Sequence, residues 1–301
     1  MKSKKILLTG VNGQVGHALA PKLLQYQVIA LSRSELDLCN QDEIRRVVRE
    51  IKPDLIINPA AYTGVDKAEG EPELTYAINA LAPQVLAEEA AKLGSGIIHF
   101  STDYVYDGTK KTPYLETDST NPISVYSKSK LAGEDAIRKV GVPHLIVRTS
   151  WVYGTYGRNF LKTILRLTSE RDSLRVVADQ FGAPTSSEAV ADAVVSLVEK
   201  WQLQQQAQTG VYHLTNAGST SWHGFACEIV NGYNALKNER GWPALSIKVD
   251  NIAAITTIEY PTPAARPQNS RMDNSKLKMV FDIELPSWQE SLKQVMQKLN
   301  L

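Results

Sequence analysis

The sequence predicts an α/β fold: a doubly wound, parallel Rossmann-type sheet followed by a smaller C-terminal α+β lobe. Three observations carry that prediction. Short apolar runs alternate with longer amphipathic ones through the first half of the chain. Several of the short runs are apolar at consecutive positions, as strands covered by helices on both faces must be. The first run leads directly into a glycine-rich turn, the usual entry to a phosphate-binding helix.

The expected strands are KILLTG (5–10), QVIALS (27–32), DLIIN (54–58), GIIHFS (96–101) and HLIVRTS (144–150). Helical patterns fill the gaps at 14–25, 41–51, 72–93 and 124–140. The third of these ends at Gly94, a residue suited to a left-handed C-cap. Beyond about residue 150 the rhythm loosens. Turn signals in GAPTS (182–186), TNAGSTS (215–221) and YPTPAARPQNS (260–270) interrupt shorter elements, and a last amphipathic helix is expected after Pro286. We therefore expect a dinucleotide-binding domain over 1–155. Residues 156–301 should form mainly a substrate-binding lobe, with the chain crossing back to the first domain. QLQQQAQ (202–208) reads as a solvated helix end or loop.

Composition narrows the function classes. A chain of 301 residues with 43% hydrophobic and 22% charged residues can bury a sizeable core. Lys+Arg of 33 against Asp+Glu of 32 argues against a general nucleic-acid binder. Cys39 and Cys227 stand alone, and the histidines (His17, His99, His144, His213, His223) lack the paired spacing of a zinc site. Neither a disulfide framework nor a structural metal is expected. The apolar run in MKSKKILLTG is too short for a signal peptide or a membrane span. The reading is a cytoplasmic protein.

TGVNGQVG places Gly10, Gly13 and Gly16 between the first strand and the first helix, with Gln14 and Val15 in the same turn. Backbone N–H groups there would face a pyrophosphate. The GxxGxxG spacing resembles the extended short-chain dehydrogenase/reductase superfamily. At the end of the second strand an acid would accept from a ribose 2′-hydroxyl and repel a 2′-phosphate. This chain has Ser32 and Arg33 there, which favours NADPH while leaving NADH possible. Asp37 and Leu38 lie past the strand end and are expected against the adenine.

The fourth strand runs out into Ser101, Thr102, Asp103 and Tyr104, where ligands sit in sheets of this type. Some twenty residues later SVYSKSKLAGE sets Tyr126 one helical turn before Lys130. A strand-end hydroxyl followed by YxxxK is the triad arrangement of the short-chain reductases. Ketone reduction needs a hydride on carbon and a proton on oxygen. A free tyrosine has a pKa of about 10. A neighbouring ammonium and an oxidised nicotinamide would lower it. Tyr126 is read as the acid, Lys130 as its tuner and the holder of the nicotinamide ribose, and Thr102 as a donor to the substrate oxygen.

The specific segments NPAAYTGVDKAE (58–69), STDYVYDGT (101–109), VRTSWVYG (147–154), VVADQFGAPTS (176–186) and YPTPAARPQNSRMDNSKL (260–277) resemble the dTDP-4-dehydrorhamnose reductases from end to end. That resemblance implies reduction of the C4 ketone of dTDP-4-dehydro-6-deoxy-L-mannose to dTDP-L-rhamnose. It also implies Ala60, Ala61 and Tyr62 along the cofactor, with Val65, Thr102, Asp103, Tyr104 and Trp151 around the sugar. Arg266 would meet the diphosphate, and Asn159 would touch the substrate. Sugar-nucleotide dehydratases are similar but place a Glu after the Asp; here Asp103 is followed by Tyr104, which favours simple reduction. In one respect the chain departs from its relatives. His17 and Ala18 stand where some carry a glutamate for a magnesium-linked dimer, and Glu188 and Asp192 read as ordinary helix carboxylates. Two alternatives stay open, another NDP-4-ketohexose reductase and a non-catalytic NADP-binding subunit similar to that of methionine adenosyltransferase. Whether the chain acts as a monomer or a homodimer is also open.

Overall fold

The computed structural model describes residues 4–201 and 208–300. QLQQQAQ therefore falls almost wholly outside the described residues. The first half runs β1 (Lys5–Leu8), α1 (Gln14–Leu19), β2 (Gln27–Ala30), α2 (Gln41–Ile51), β3 (Leu55–Asn58), α3 (Val65–Ala68), α4 (Pro72–Tyr76), α5 (Ala82–Leu93), β4 (Gly96–Thr102), α6 (Val125–Val140) and β5 (His144–Thr149). There follow β6 (Val152–Tyr153), α7 (Phe160–Glu170), β7 (Leu174–Val177), β8 (Phe181–Gly182), β9 (Thr185–Ser186), α8 (Ser187–Lys200) and β10 (Gly210–His213). The chain closes with β11 (Thr220–Ser221), α9 (Trp222–Arg240), β12 (Ile252–Ile255), α10 (Ser275–Phe281) and α11 (Trp288–Gln297).

Six strands form one parallel sheet in the order β10-β5-β4-β3-β1-β2. Strand pleating sorts its side chains between two layers. Ile6, Leu8, Leu55, Ile57, Ile98, Leu145 and Val147 pack with α8 and α10 on one face. Leu7, Ile56, Ile97 and Ile146 pack with α2 and α5 on the other. Strand order reverses between β1 and β3, so a crevice opens there at the carboxyl ends of the strands. The doubly wound fold is thus present.

A separate apolar cluster joins α7, α9 and α11 with the parallel β7–β12 pair, and it makes the second lobe. The chain does not stay in that lobe. α8 packs on α1's face of the sheet, and β10 adds the sixth strand beside β5.

Local chemistry explains two departures from the expected elements, and a third comes from pairing across the sheet. The first helix stops at Leu19 and tightens into a 3₁₀ turn at Ala20–Lys22, because Pro21 has no N–H to continue it. The long helix expected over 72–93 carries a π turn at Ala77–Leu81. Pro83 cannot donate to the carbonyl of Asn79, four residues back, so that carbonyl is left free of the α ladder. It lies against Gly133 of α6 so closely that a Cβ there would sit 2.2 Å from it. The strand β10 had no sequence signal; GVYH is short and only half apolar.

A buried ion pair ties the sheet to α6. Arg148 of β5 donates to both oxygens of Glu134 on α6, at 2.9 and 2.6 Å, and to the Tyr106 hydroxyl at 2.7 Å. Ser101 of β4 donates to the same carboxylate. Both charged side chains are at most 2% exposed. Removing one partner leaves a buried, uncompensated charge, so Arg148→Met should lower unfolding free energy by about 3–5 kcal/mol in urea denaturation. Adding Glu134→Leu to that variant should recover part of the loss.

Candidate active site

A cleft of about 870 Å³ opens at the carboxyl ends of the parallel strands. Its floor at β1 is the glycine turn. Gly10 has φ +61°, and a Cβ there would come within 2.8 Å of Ala60 Cα. A Cβ on Gly16 would lie 2.2 Å from the Gly10 carbonyl oxygen. Only hydrogen fits at either place, so the first turn of α1 closes directly over the strand end. Gly13 begins α1 with no side-chain cap, which leaves its first N–H groups available to an anion. Ser32, Arg33, Asp37 and Leu38 line the cleft beyond β2, and Ala60, Ala61 and Tyr62 line it beyond β3. The set fits a dinucleotide: a glycine cradle for phosphates, flanking walls on both sides of it, and the buried, unpartnered Thr149 Oγ1 on the lining.

The reacting end is built by β4 and α6. A capping box between Ser124 and Ser127 starts α6 and fixes its rotation two residues before Tyr126. Tyr126, Lys130 and Glu134 follow at intervals of four and share one face. Lys130 is 2% exposed; its Nζ donates to the Phe100 carbonyl at 2.6 Å and stands 3.4 Å from His99 Nε2. Behind it His99 Nδ1 lies 3.1 Å from the Asn58 amide nitrogen, and Thr9 donates to the Asn58 amide oxygen at 2.6 Å. Burial lowers Lys130 to about 8, against the opposing pull of Glu134. The same burial holds His99 well below its ordinary value, so the ring is neutral.

Burial also raises the Tyr126 phenol to about 12, with Thr102 pulling the other way and Asp103 adding to the rise. The lowering expected from a nearby ammonium is absent here, because Lys130 is turned to Phe100 and His99. Asp103 is pushed up to about 7 by desolvation, offset by Ser270 and Thr102, and its Oδ2 has no hydrogen-bond partner. Thr102 donates to Asp103 Oδ1 at 3.0 Å and accepts from the Tyr104 N–H at 3.2 Å. The cleft therefore offers a protonated phenol, a hydroxyl and a buried amine around one water-poor corner. That equipment suits delivery of a proton to an oxygen beside a bound dinucleotide.

The chain has close matches among known proteins. Residues 4–301 match the family described as the RmlD substrate binding domain. The chain is 46% identical to the dTDP-4-dehydrorhamnose reductase of Burkholderia thailandensis, over 94% of this chain and 95% of that one. It belongs to the dTDP-4-dehydrorhamnose reductase family. The Escherichia coli K12 reductase is 41% identical over 98% of this chain and 97% of its own length. A crystal structure of the Bacillus anthracis reductase in complex with NADP superposes with a TM-score of 0.87 at 36% identity, covering 99% of this chain and 100% of that one.

Within this family member the structure brings most of the expected residues to one cleft. Gly10, Gly13, Gln14, Val15, Gly16, Thr102, Asp103, Tyr126, Lys130, Trp151 and Asn159 all line it. Val65, Tyr104 and Arg266 are not on its lining. Tyr104 stands edge-on to Tyr126, with ring centroids 6.3 Å apart. Arg266 pairs with Asp66 at 2.8 Å and donates to the Ala264 carbonyl at 3.0 Å, while Val65 opens α3 next to Asp66. Asn159 has structural duties: it caps α7 through Lys162 N and donates to Gln14 and to the Gly154 carbonyl. Trp151 stacks on Trp222 at 3.5 Å and has φ +47°, a strained backbone for a bulky residue. His17 stacks on Tyr156, Asp192 pairs with Lys22, and Glu188 accepts from Thr155 and Ser187.

Sequence reasoning missed Thr9, Asn58 and His99. Thr9 and Asn58 open the segments TGVNGQVG and NPAAYTGVDKAE, while His99 lies midway along β4, and only the pairing of neighbouring strands brings the three together. Sequence reasoning also missed Lys67, Ser150 and Arg158 on the cleft lining.

Lys130 gives a pH test. Its folded-state value of about 8 means the ammonium is lost as pH rises through that point. The profile of kcat/KM, which reports the free enzyme, should fall above about pH 8. Tyr126, at about 12, should add no limb below pH 10. A flat profile between pH 7 and 10 would show that the Lys130 charge is not needed.

Proposed function

We propose that the protein reduces the C4 ketone of dTDP-4-dehydro-6-deoxy-L-mannose to dTDP-L-rhamnose with NADPH. The observation that carries this is the convergence of Tyr126, Lys130 and Thr102 beside the glycine cradle, in a chain 46% identical over nearly its whole length to a dTDP-4-dehydrorhamnose reductase. The presence of NADP in the Bacillus anthracis relative supports the choice of cofactor.

When bound, the reduced nicotinamide supplies the hydride. The chain supplies everything else. N–H groups at Gln14–Gly16 hold the pyrophosphate, Ser32 and Arg33 the 2′-phosphate, Asp37 and Leu38 the adenine, and Ala60, Ala61 and Tyr62 the intervening wall. Thr102 turns its hydroxyl from Asp103 Oδ1 to the ketone oxygen, donating to it and orienting it. Tyr126 then gives that oxygen its proton. A phenol held at about 12 keeps its proton at neutral pH. It still yields it to a sugar alkoxide, whose parent alcohol is a weaker acid. Lys130 holds the nicotinamide ribose with its buried ammonium.

The lobe built by α7, α9, α11 and the β7–β12 pair serves as the substrate side. Asp103, Trp151 and Asn159, on the cleft lining, face the sugar, with Val65 and Tyr104 behind that lining, and Arg266 offers its remaining N–H groups to the diphosphate. Tyr104 occupies the place where a dehydratase would need a second carboxylate, which supports reduction over elimination. Among the described residues no helix is long and apolar enough to cross a membrane. We place the protein in the cytoplasm, as a monomer or homodimer.

The test is NADPH consumption with the dTDP ketosugar, beside GDP- and UDP-linked ketosugars. Turnover confined to the dTDP substrate is expected. Binding of NADPH without oxidation by any of them would replace this reading with a regulatory one. Tyr126→Phe should retain NADPH affinity and lose turnover by ~10²–10⁴-fold. Arg33→Ala should raise KM for NADPH far more than for NADH; an equal rise would remove Arg33 from the phosphate site.

A further inference from the structure

The donors that Ser32 would offer a 2′-phosphate at the end of β2 are already engaged. Ser32 lines the cleft. Its backbone N–H donates to Glu35 Oε2 at 2.8 Å, and its hydroxyl donates to the same oxygen at 2.7 Å. With that proton committed, the Ser34 hydroxyl, 2.9 Å away, donates to Ser32 Oγ. Backbone bonds from Glu35 N and Leu36 N to the Ser32 carbonyl close the turn at 3.1 and 3.0 Å. Leu36 is 3% exposed and anchors it in the core. The carboxylate is therefore held over the turn. Its bonds from Ser32 keep it below the usual carboxylate range, so it is ionised at neutral pH.

We infer that Glu35 is a cofactor-specificity residue that restrains the NADPH preference of Ser32 and Arg33 and supplies the acid that the strand end itself lacks. The inference rests on the nucleotide site proposed above. A 2′-phosphate, carrying nearly two negative charges, must displace the carboxylate from both Ser32 donors and then remain near it. A 2′-hydroxyl meets no such penalty, because it is a donor and a carboxylate accepts from it. Ser32 and Arg33 favour the phosphorylated cofactor, while Glu35 favours the unphosphorylated one. The turn thus presents both chemistries side by side, which fits an enzyme that accepts either nucleotide.

Glu35→Gln removes the charge and leaves an amide oxygen to accept from Ser32, so the turn is preserved. Dissociation constants of NADP⁺ and NAD⁺ should be measured by calorimetry on the wild-type chain and this variant. NADP⁺ should bind about tenfold more tightly to the variant at low salt, with the gain shrinking as salt is raised. NAD⁺ should not tighten. An equal change for both nucleotides, or none for NADP⁺, would overturn the role of Glu35 while leaving the cofactor site intact. Failure of the wild-type chain to bind either nucleotide would overturn the site and this inference together.

Discussion

The buried pair between Arg148 and Glu134 is the contact on which the α6 side of the cleft depends. Two charges removed from water must meet nearly all their hydrogen-bonding capacity, so their geometry tolerates little drift. Here Arg148 reaches Glu134 and Tyr106, Ser101 completes the carboxylate, and Tyr106 stands 2.8 Å from His213 on β10. Strands β4, β5 and β10 are thereby fixed to α6. Glu134 lies one turn beyond Lys130 and two beyond Tyr126. Whatever fixes the rotation of α6 at Glu134 aims the other two side chains at the cleft.

The same corner concentrates unfavourable burial. Desolvation lowers Lys130 and His99 and raises Asp103 and Tyr126. Asp103 Oδ2 and Thr149 Oγ1 lack partners, a cost the rest of the core largely avoids. Groups left in this condition gain by meeting a polar ligand, which is how a site comes to prefer being filled. Stability at the corner comes from the surrounding apolar layers, and function from what those layers leave unsatisfied.

Two irregularities belong to the same economy of local rules. Pro83 opens a π turn, and Asn79 within it binds the Tyr62 backbone at 2.8 Å and the Ser129 hydroxyl at 3.0 Å. One break in a helix therefore positions a cleft wall against α6. Trp151 accepts a left-handed backbone while stacked on Trp222, and Gly182 leaves room for its ring. Both depart from local preference next to the cleft, where such departures serve binding.

The sequence by itself determined the doubly wound fold, the glycine turn, the YxxxK helix and the strand-end hydroxyl. Each is a local pattern: apolar residues at the strand or helix period, glycines where a Cβ cannot fit, two side chains one turn apart. Tertiary structure decided the rest. β10 joins the sheet through register with β5, although its four residues carry no pattern of their own. His99 and Asn58 become the support of Lys130 only because β3 and β4 are neighbours. Arg266 finds Asp66 across 200 positions of chain, and Asn159 finds Gln14 across 145. Contacts of this kind depend on which surfaces the folded core brings together, and no spacing along the chain encodes them.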